Sequence, residues 1–161
     1  MIDEKTLERI KLLHPKVREE VGNIYSDISK ALTGKAFCRF THTLRTFAEQ
    51  DALYAKGRTA PGGIVTNAKG GFSMHNYGLA IDIVLVRDGK ALWDVKADLD
   101  GDGKPDWIEI VNIFKSYGWE WGGDWKFYDA PHFQKSFGKS IRELLALHAA
   151  KKVDEHGFVR I

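Results

Sequence analysis

The feature that most constrains the fold of this 161-residue chain is the segment 73–86, SMHNYGLAIDIVLV. Its second half is apolar at almost every position, and a short continuous apolar run is typical of a strand that is buried on both faces. One carboxylate, Asp82, interrupts the run. An unpaired buried carboxylate costs several kcal/mol or takes up a proton. We therefore expect Asp82 to have a fixed partner, and His75 precedes it by seven residues.

The composition is that of a folded chain of one domain, spanning residues 1–161, with 43% hydrophobic and 29% charged residues. A net charge of +2 is too weak a bias to indicate a nucleic-acid partner, although it suits an anionic polymer. The single cysteine, Cys38, excludes an internal disulfide, and its apolar setting favours a packed strand residue over a nucleophile. The first residues are charged and no apolar run reaches 18 residues. We therefore expect neither a secretory signal nor membrane insertion, and synthesis in the cytoplasm.

Helical and strand patterns are mixed along the chain without strict alternation. Apolar spacing predicts helices at 3–14, 17–32, 46–56, 107–117 and 139–150, and the first is expected to end at Pro15. Strands are predicted at 36–43 and 80–86, with a hairpin at Asp88-Gly89 into a returning strand, KALWDV. Residues 58–72 form a long loop, and the tail 157–161 is predicted as an edge strand. This order favours an α+β fold, an antiparallel sheet with flanking helices.

Three side chains form a candidate metal site. His75, Asp82 and His132 supply two imidazoles and a carboxylate, which are zinc ligands, and three protein ligands are typical of a catalytic site. Asp129 precedes His132 by three residues, so it could act as a general base beside the metal. Glu120 is a competing candidate for that role. The spacing is not the HExxH pattern of zinc peptidases, and each residue taken alone is more often a surface or structural residue than a ligand.

Four segments in matching order resemble the D-Ala-D-Ala metallopeptidase family, which contains the VanX- and VanY-type dipeptidases and carboxypeptidases. SMHNYGLAID is similar to its S-x-H-x-x-G-x-A-x-D signature, and DAPHF is similar to its second motif. Upstream, LRTFAEQDALYAKGRTAPGGIVTNAKGG and, downstream, GWEWGGDW resemble the L-alanyl-D-glutamate endopeptidase branch, which includes bacteriophage endolysins. The resemblance covers residues 44–133.

The resemblance implies a DD-peptidase/Hedgehog-like fold and a zinc ion (Zn2+) held by His75, Asp82 and His132. Asp129 takes the general-base position, where VanX-type enzymes have glutamate. Arg45 matches the arginine that stabilises the oxyanion, because a guanidinium can donate two hydrogen bonds to one group. The alternative for Arg45 is a surface ion pair with Glu49.

Further residues have two interpretations each. Gln50 could bind substrate or only join a helix to the loop, and Ser73 could contact the peptide or cap its own loop. Trp121 and Trp125 could line a cleft, although aromatic residues belong more often to a core.

The segment 98–109, DLDGDGKPDWIE, fits the template of an EF-hand-like calcium loop. Its candidate calcium (Ca2+) ligands are Asp98, Asp100, Asp102, the Lys104 carbonyl, Asp106 and Glu109. A strand rather than a helix is expected before it, and no sister loop exists, so a solvated acidic turn is the alternative. A structural role for calcium is favoured over a regulatory one.

The function that follows is a zinc peptidase of peptidoglycan stem peptides, with L-alanyl-D-glutamate as the expected bond. Cleavage of the D-Ala-D-Ala end is one alternative, and a non-catalytic zinc-binding module of the same fold is another. We expect a monomer that resembles phage or prophage endolysins and reaches the wall through a separate holin. A host enzyme that is exported by another route is the remaining alternative.

Overall fold

The computed structural model describes all 161 residues. The five helices are α1 (Glu4–Ile10), α2 (Pro15–Ala31), α3 (Phe47–Ala55), α4 (Asp106–Ser116) and α5 (Ile141–Ala149). The five strands are β1 (Phe37–His42), β2 (Ala80–Arg87), β3 (Lys90–Leu92), β4 (Glu120–Trp121) and β5 (His132–Gln134). Short 3-10 turns are formed by Met74–Tyr77 and Gly122–Asp124. None of the helices combines the length and the apolar character that a membrane crossing requires.

The strand that contains Asp82 is the centre of the sheet. The strand order is β1-β2-β5-β4, every pairing is antiparallel, and β3 pairs with the far end of β2. Side chains alternate along a strand, so Ile81, Ile83 and Leu85 enter the main hydrophobic core while Asp82 points to the opposite face. This antiparallel sheet with flanking helices is the α+β fold that the sequence predicts.

The core between the sheet and the helices follows the apolar periodicity. Val17, Val21, Ile24 and Ile28 on α2 are almost completely buried, as the helical spacing predicts. On α4, Phe114 stacks on Phe133 of β5 at 4.1 Å between ring centroids. The helices α2 and α4 therefore hold the apolar face of the sheet and leave its other face for polar groups.

The start of the chain differs from the prediction. Pro15 does not end the first helix. It is the first residue of α2, a position where its missing N–H and fixed φ are tolerated. Asp3 stands at the N-cap of α1 but makes no cap hydrogen bond, because its carboxylate accepts two from Arg39 of β1 instead. That ion pair fastens α1 to the sheet.

Two predicted strands are shorter than expected. Of KALWDV, only Lys90–Leu92 pairs with β2. The expected strand directly before the acidic loop is therefore wrong, since turns and irregular chain separate β3 from residue 98. The tail adds no edge strand to the sheet. It makes one isolated bridge, between Val153 and Val159, because its backbone pairs with the segment that follows α5.

Candidate metal centre

His75 is placed by a tightly capped turn directly before β2. Ser73 accepts a hydrogen bond from the His75 backbone N–H, and Gly78 ends the turn in the left-handed conformation with φ of 68°. A side chain at Gly78 would meet the His14 backbone nitrogen at 2.5 Å, so both backbone shape and space favour glycine. The turn buries the His75 ring, which is 3% exposed, at the polar face of the sheet.

Asp82 and His132 reach the same point as direct cross-strand neighbours of β2 and β5. Asp82 Oδ1 lies 3.0 Å from His132 Nδ1 and 3.3 Å from His75 Nε2. One ligand atom from each of the three side chains lies within 4.8 Å of the other two. Residues that are up to 57 positions apart in the sequence (75 to 132) thus converge as predicted.

The free nitrogen of His75 fits a metal ligand. Its Nδ1 donates to the Thr43 carbonyl oxygen at 2.7 Å, because a carbonyl can only accept. The Nε2 atom then carries a lone pair, and it is buried without any hydrogen-bond partner. A buried orphan acceptor that faces a second imidazole and a carboxylate fits a divalent cation, and this N₂O donor set suits zinc.

The charges in this cluster depend on one another. Burial by itself would raise the pKa of Asp82, but the hydrogen bond from His132 and the proximity of both imidazoles outweigh it and hold that pKa far below its usual range. For His132, burial lowers the pKa and the carboxylate of Asp82 raises it, with a net rise. Asp82 thus has the partners that its apolar strand requires.

Asp129 faces the same cavity of about 390 Å³ as the three candidate ligands. Its side chain is in no ion pair, and partial desolvation raises the pKa of its carboxyl group. Two indoles fix the backbone beside it: Trp107 Nε1 and Trp121 Nε1 both donate to the Ala130 carbonyl oxygen, at 3.2 Å and 2.7 Å. The acid therefore stands next to the metal cluster on a rigid segment, where it could exchange protons with a bound water.

Arg45 enters the cavity from the residue before the Thr46 cap of α3. Its Nη1 donates to Gln50 Oε1 at 3.0 Å, and Gln50 Nε2 donates to the Ala68 carbonyl oxygen at 2.9 Å. The predicted alternative, an ion pair between Arg45 and Glu49, is absent, because Glu49 closes the capping box of α3 with Thr46. The other N–H groups of the Arg45 guanidinium make no hydrogen bond within the protein and are free to donate to a ligand.

Two of the predicted substrate contacts, Ser73 and Gln50, differ in how fully their polar atoms are already hydrogen-bonded. Ser73 and Gln50 both line the cavity. Gln50 is completely buried, and both polar atoms of its amide are hydrogen-bonded. This geometry supports the interpretation in which Gln50 joins α3 to the loop. Ser73 caps its own turn and also faces the cavity, so both of its predicted roles are compatible with its position.

The two tryptophans do not share one role. Trp121 is not in the lining of the cavity, contrary to its prediction as a cleft residue, because its indole packs against Gly123 and donates to Ala130. Trp125 lies beside the site instead, with its ring 5.3 Å from that of His132. Glu120 also lies outside the cavity and accepts a hydrogen bond from Gln134.

Three residues at the site were not identified as site residues from the sequence. A register shift in β1 places His42 opposite Asp82, with Nδ1 3.9 Å from Oδ2. Asn76 accepts from the Gly71 and Ser73 backbones and donates to the Arg45 carbonyl. Thr43 acts through its backbone carbonyl, which no side-chain pattern could reveal, whereas Asn76 stands inside the SMHNYG motif and was visible there.

The acidic loop 98–109 is ordered by its own backbone. Asp98 accepts from Gly101 and Gly103, and Asp100 accepts from Thr33 at the end of α2. Carboxylates of Asp98, Asp100 and Asp106 converge, and those of Asp100, Asp102 and Glu109 form a second such group. Asp106 is 1% exposed, and its Oδ2 has no partner. A cation would complete this arrangement.

Comparisons with known proteins agree with the geometry of the site. A sequence model described as D-alanyl-D-alanine carboxypeptidase matches residues 66–135. The peptidoglycan L-alanyl-D-glutamate endopeptidase CwlK of Bacillus subtilis (strain 168) is 55% identical over 96 residues, which are 58% of this chain and 58% of CwlK. The chain thus spans somewhat more than half the length of that curated relative. These matches confirm the resemblance that the four motifs predict.

The fold has a solved counterpart. The crystal structure of the L-Ala D-Glu endopeptidase ChiX of Serratia marcescens matches with a TM-score of 0.55 and 22% sequence identity. The match covers 83% of this chain and 87% of ChiX. The α+β architecture is therefore shared with ChiX.

Proposed function

We propose that this protein is a zinc-dependent peptidase that cleaves peptidoglycan stem peptides at the L-alanyl-D-glutamate bond. The observation that carries the proposal is the convergence of His75, Asp82 and His132 on one point, with the orphan Nε2 of His75 directed at it and Asp129 in the same cavity. CwlK and ChiX are endopeptidases of the L-alanyl-D-glutamate bond, which supports this choice. An origin as a phage or prophage endolysin is a narrower form of the proposal, supported by the motif resemblance alone.

The residues of the cavity have separate tasks in such a reaction. Zinc, when bound by His75, Asp82 and His132, supplies a Lewis acid that polarises a carbonyl and favours ionisation of water. Asp129 takes a proton from the attacking water and delivers it to the leaving amine, so one carboxylate serves as base and then as acid. Partial burial raises the pKa of this carboxyl group, which makes the carboxylate a better proton acceptor than an ordinary aspartate.

Arg45 stabilises the negative charge of the reaction. Its guanidinium donates to the developing oxyanion or to a substrate carboxylate. Gln50 holds Arg45 at 3.0 Å and is itself held by the Ala68 carbonyl of the long loop. The direction of the guanidinium is thus set before substrate arrives, which removes an entropic cost from binding.

Digestion of purified cell-wall sacculi with the zinc-loaded protein tests the function. Mass spectrometry is expected to detect stem peptides with a new N-terminal D-glutamate and glycan that keeps L-alanine. Loss of terminal D-alanine alone would favour the D-Ala-D-Ala alternative and would contradict the proposed bond. Wall lysis by His132→Ala equal to that of the wild type would contradict a catalytic metal and favour the non-catalytic alternative.

Calcium is proposed as a second, structural cofactor of the loop 98–109. The supporting observation is Asp106 Oδ2, an unpaired oxygen of a buried carboxylate that faces Asp98 and Asp100. Asp106 is the first residue of α4, and the adjacent Trp107 holds the Ala130 carbonyl next to Asp129. A cation in the loop would therefore stabilise the start of α4 and, through Trp107, the segment that carries the general base.

Isothermal titration of chelator-treated protein with calcium chloride tests this second site. Heat of binding is expected for the wild type and for His75→Ala, and it should be lost in Asp106→Ala. A wild-type protein that gives no heat at millimolar calcium would contradict the proposal.

A further inference from the structure

The cavity that contains the metal cluster continues into two neighbouring cavities. One, of about 280 Å³, shares Ser73 and His132 with it. The other, of about 300 Å³, shares His42 and Arg45 with it. His42 and His132 lie on opposite sides of Asp82 in the row across β1, β2 and β5. The three cavities therefore form one groove, with the candidate metal site in its middle.

The end of the groove beside His132 is apolar. It is lined by Phe72, Met74, Trp125 and Ile141, and no acidic or basic side chain other than His132 lines it. The ring of Trp125 lies 5.3 Å from that of His132. Trp125 and Phe72 remain 36% and 40% exposed. Exposed aromatic side chains beside a polar site are typical of a ligand-binding groove.

Trp125 has no structural partner that would explain its position. The indole N–H groups of Trp107, Trp119 and Trp121 donate to acceptors within the protein. The indole N–H of Trp125 makes no such hydrogen bond, and its side chain lies outside the hydrophobic core. Trp125 therefore offers both an aromatic face and a hydrogen-bond donor to a ligand.

The opposite end of the groove carries positive charge. Arg45 and Lys56 both line it. Its one acidic residue, Glu49, is occupied in the capping box of α3 with Thr46. A carboxylate that enters the groove is therefore attracted to this end and not to the apolar end.

A stem peptide has the same asymmetry about its L-alanyl-D-glutamate bond. On the acyl side, L-alanine is joined to the lactyl group of the muramyl sugar, and this side carries no charge. On the amine side, D-glutamate continues the chain through its γ-carboxyl group and keeps a free α-carboxylate. An extended chain advances about 3.3–3.6 Å per residue, so the sugar begins roughly 7 Å from the scissile carbonyl. A ring at that distance from the metal site reaches the apolar end of the groove.

We propose that the apolar cavity between Trp125 and Phe72 is the subsite for the muramyl sugar, and that the stem peptide extends from the metal site toward Arg45 and Lys56. The C–H face of the sugar packs on the indole, and a sugar oxygen accepts a hydrogen bond from the indole N–H. The inference rests on the proposed function and deepens it. It makes stem peptides that are still attached to glycan the preferred class of substrate.

Two substrates that differ only in the sugar test this subsite. N-acetylmuramyl-L-alanyl-γ-D-glutamyl-L-lysine carries it, and N-acetyl-L-alanyl-γ-D-glutamyl-L-lysine keeps the same amide without it. The zinc-loaded wild type is expected to cleave the first with a kcat/KM about tenfold higher. In Trp125→Ala this ratio should fall toward one through a higher KM for the muramyl substrate, whereas Trp125→Phe should keep most of it.

The ratio also separates substrate binding from damage to the metal site. Both substrates are cleaved by the same enzyme, so the ratio does not depend on the fraction of molecules that hold zinc. Phe127→Ala is the matched control and should keep the wild-type ratio, because Phe127 is 86% exposed and lies outside the three cavities. Lys56→Ala should weaken cleavage of both substrates by the same factor, because both carry the α-carboxylate.

The proposal is overturned if the wild-type ratio is close to one or if Trp125→Ala leaves it unchanged. It is equally overturned if Phe127→Ala lowers the ratio as much as Trp125→Ala does. A ratio that falls in Lys56→Ala and not in Trp125→Ala would place the sugar at the other end of the groove, which also contradicts the proposal.

Failure of the proposed function has a different signature, since the wild type would then cleave neither substrate. Titration calorimetry of the zinc-loaded protein with N-acetylmuramyl-L-alanine, the product on the glycan side, still decides the subsite in that case. Binding that Trp125→Ala weakens by about tenfold supports it. Absent binding, or equal binding by the wild type and Trp125→Ala, overturns it.

Discussion

At the scale of single residues, the site depends on where each polar atom finds its partner. Asp82 sits in an apolar strand because two imidazoles and a metal ion can offset its charge, and its low pKa reflects the two imidazoles. Cys38 is the opposite case. Its thiol is completely buried in β1, and burial raises its pKa well above the usual range, so it is a packed strand residue and no nucleophile.

Substitution of Asp129 separates a role in proton transfer from a role in metal binding. Asp129→Asn should lower kcat/KM by about 10²- to 10⁴-fold while zinc affinity stays close to that of the wild type, because the proposed task of this carboxylate is to carry a proton and not to bind the metal. Steady-state rates on sacculi, together with chelator competition, measure both quantities. Asp124→Asn, in the neighbouring exposed turn, is the control. Wild-type rates in Asp129→Asn would contradict the assigned role.

At the scale of elements, the loop 98–109 and α4 form one unit with the segment that carries Asp129. Asp100 is bonded to Thr33 at the end of α2, Asp106 begins α4, and Trp107 reaches Ala130. Acidic side chains crowd this unit. Burial, followed by the charges of Asp102 and Asp100, raises the pKa of Glu109 to about 7.

This raised pKa predicts a pH-dependent effect of calcium. Glu109 in the folded, calcium-free protein keeps its proton up to about pH 7, whereas in the unfolded chain it ionises near its ordinary pKa of about 4.3. Between these values the folded state binds more protons, so its stability falls as pH rises. In the proposed calcium site the cation takes the place of the proton, and calcium should therefore raise the melting temperature more at about pH 8 than at about pH 5.5. Scanning calorimetry of the wild type and Glu109→Gln measures this difference, and an equal calcium effect at both pH values would contradict it.

At the scale of the whole molecule, the core and the site occupy opposite faces of the sheet. The apolar face carries the 24-residue core, and the other face carries His42, Asp82 and His132 in one row across β1, β2 and β5. The segments 43–50 and 65–75 close the cavity over this row. Two hydrogen bonds hold these segments together. Asn76 donates to the Arg45 carbonyl oxygen, and Gln50 of α3 donates to a carbonyl oxygen of the loop.

Removal of the metal should destabilise the whole molecule. The metal-free protein buries the unpaired Nε2 of His75, and a ligand present at a thousand times its Kd stabilises a fold by about 4 kcal/mol. For a chain of this size the melting temperature should drop by roughly 10 °C. Calorimetry with and without phenanthroline, which binds zinc and leaves calcium, measures the change. Asp106→Ala controls for the acidic loop, and equal melting temperatures would contradict this account of Asp82.

The sequence by itself determined the local features. Four features depend on neighbours within a few residues: the periodicity of α2, the apolar run around Asp82, the turn of SMHNYG and the acidic template at 98–109. The motif resemblance also identified His75, Asp82 and His132 before any geometry was known. These features are visible because local chemistry, not distant packing, selects the residue types.

Only the tertiary structure decided which partners these residues have. The ion pair of Asp3 with Arg39 and the hydrogen bond of Trp121 to Ala130 both join residues of different segments. From the sequence, Glu120 competes with Asp129 as a candidate for the general base. The pairing of β4 with β5 instead places Glu120 beside Gln134. The physical reason is that hydrogen bonds and ion pairs need atoms within about 3 Å, and only the packed sheet brings such atoms together.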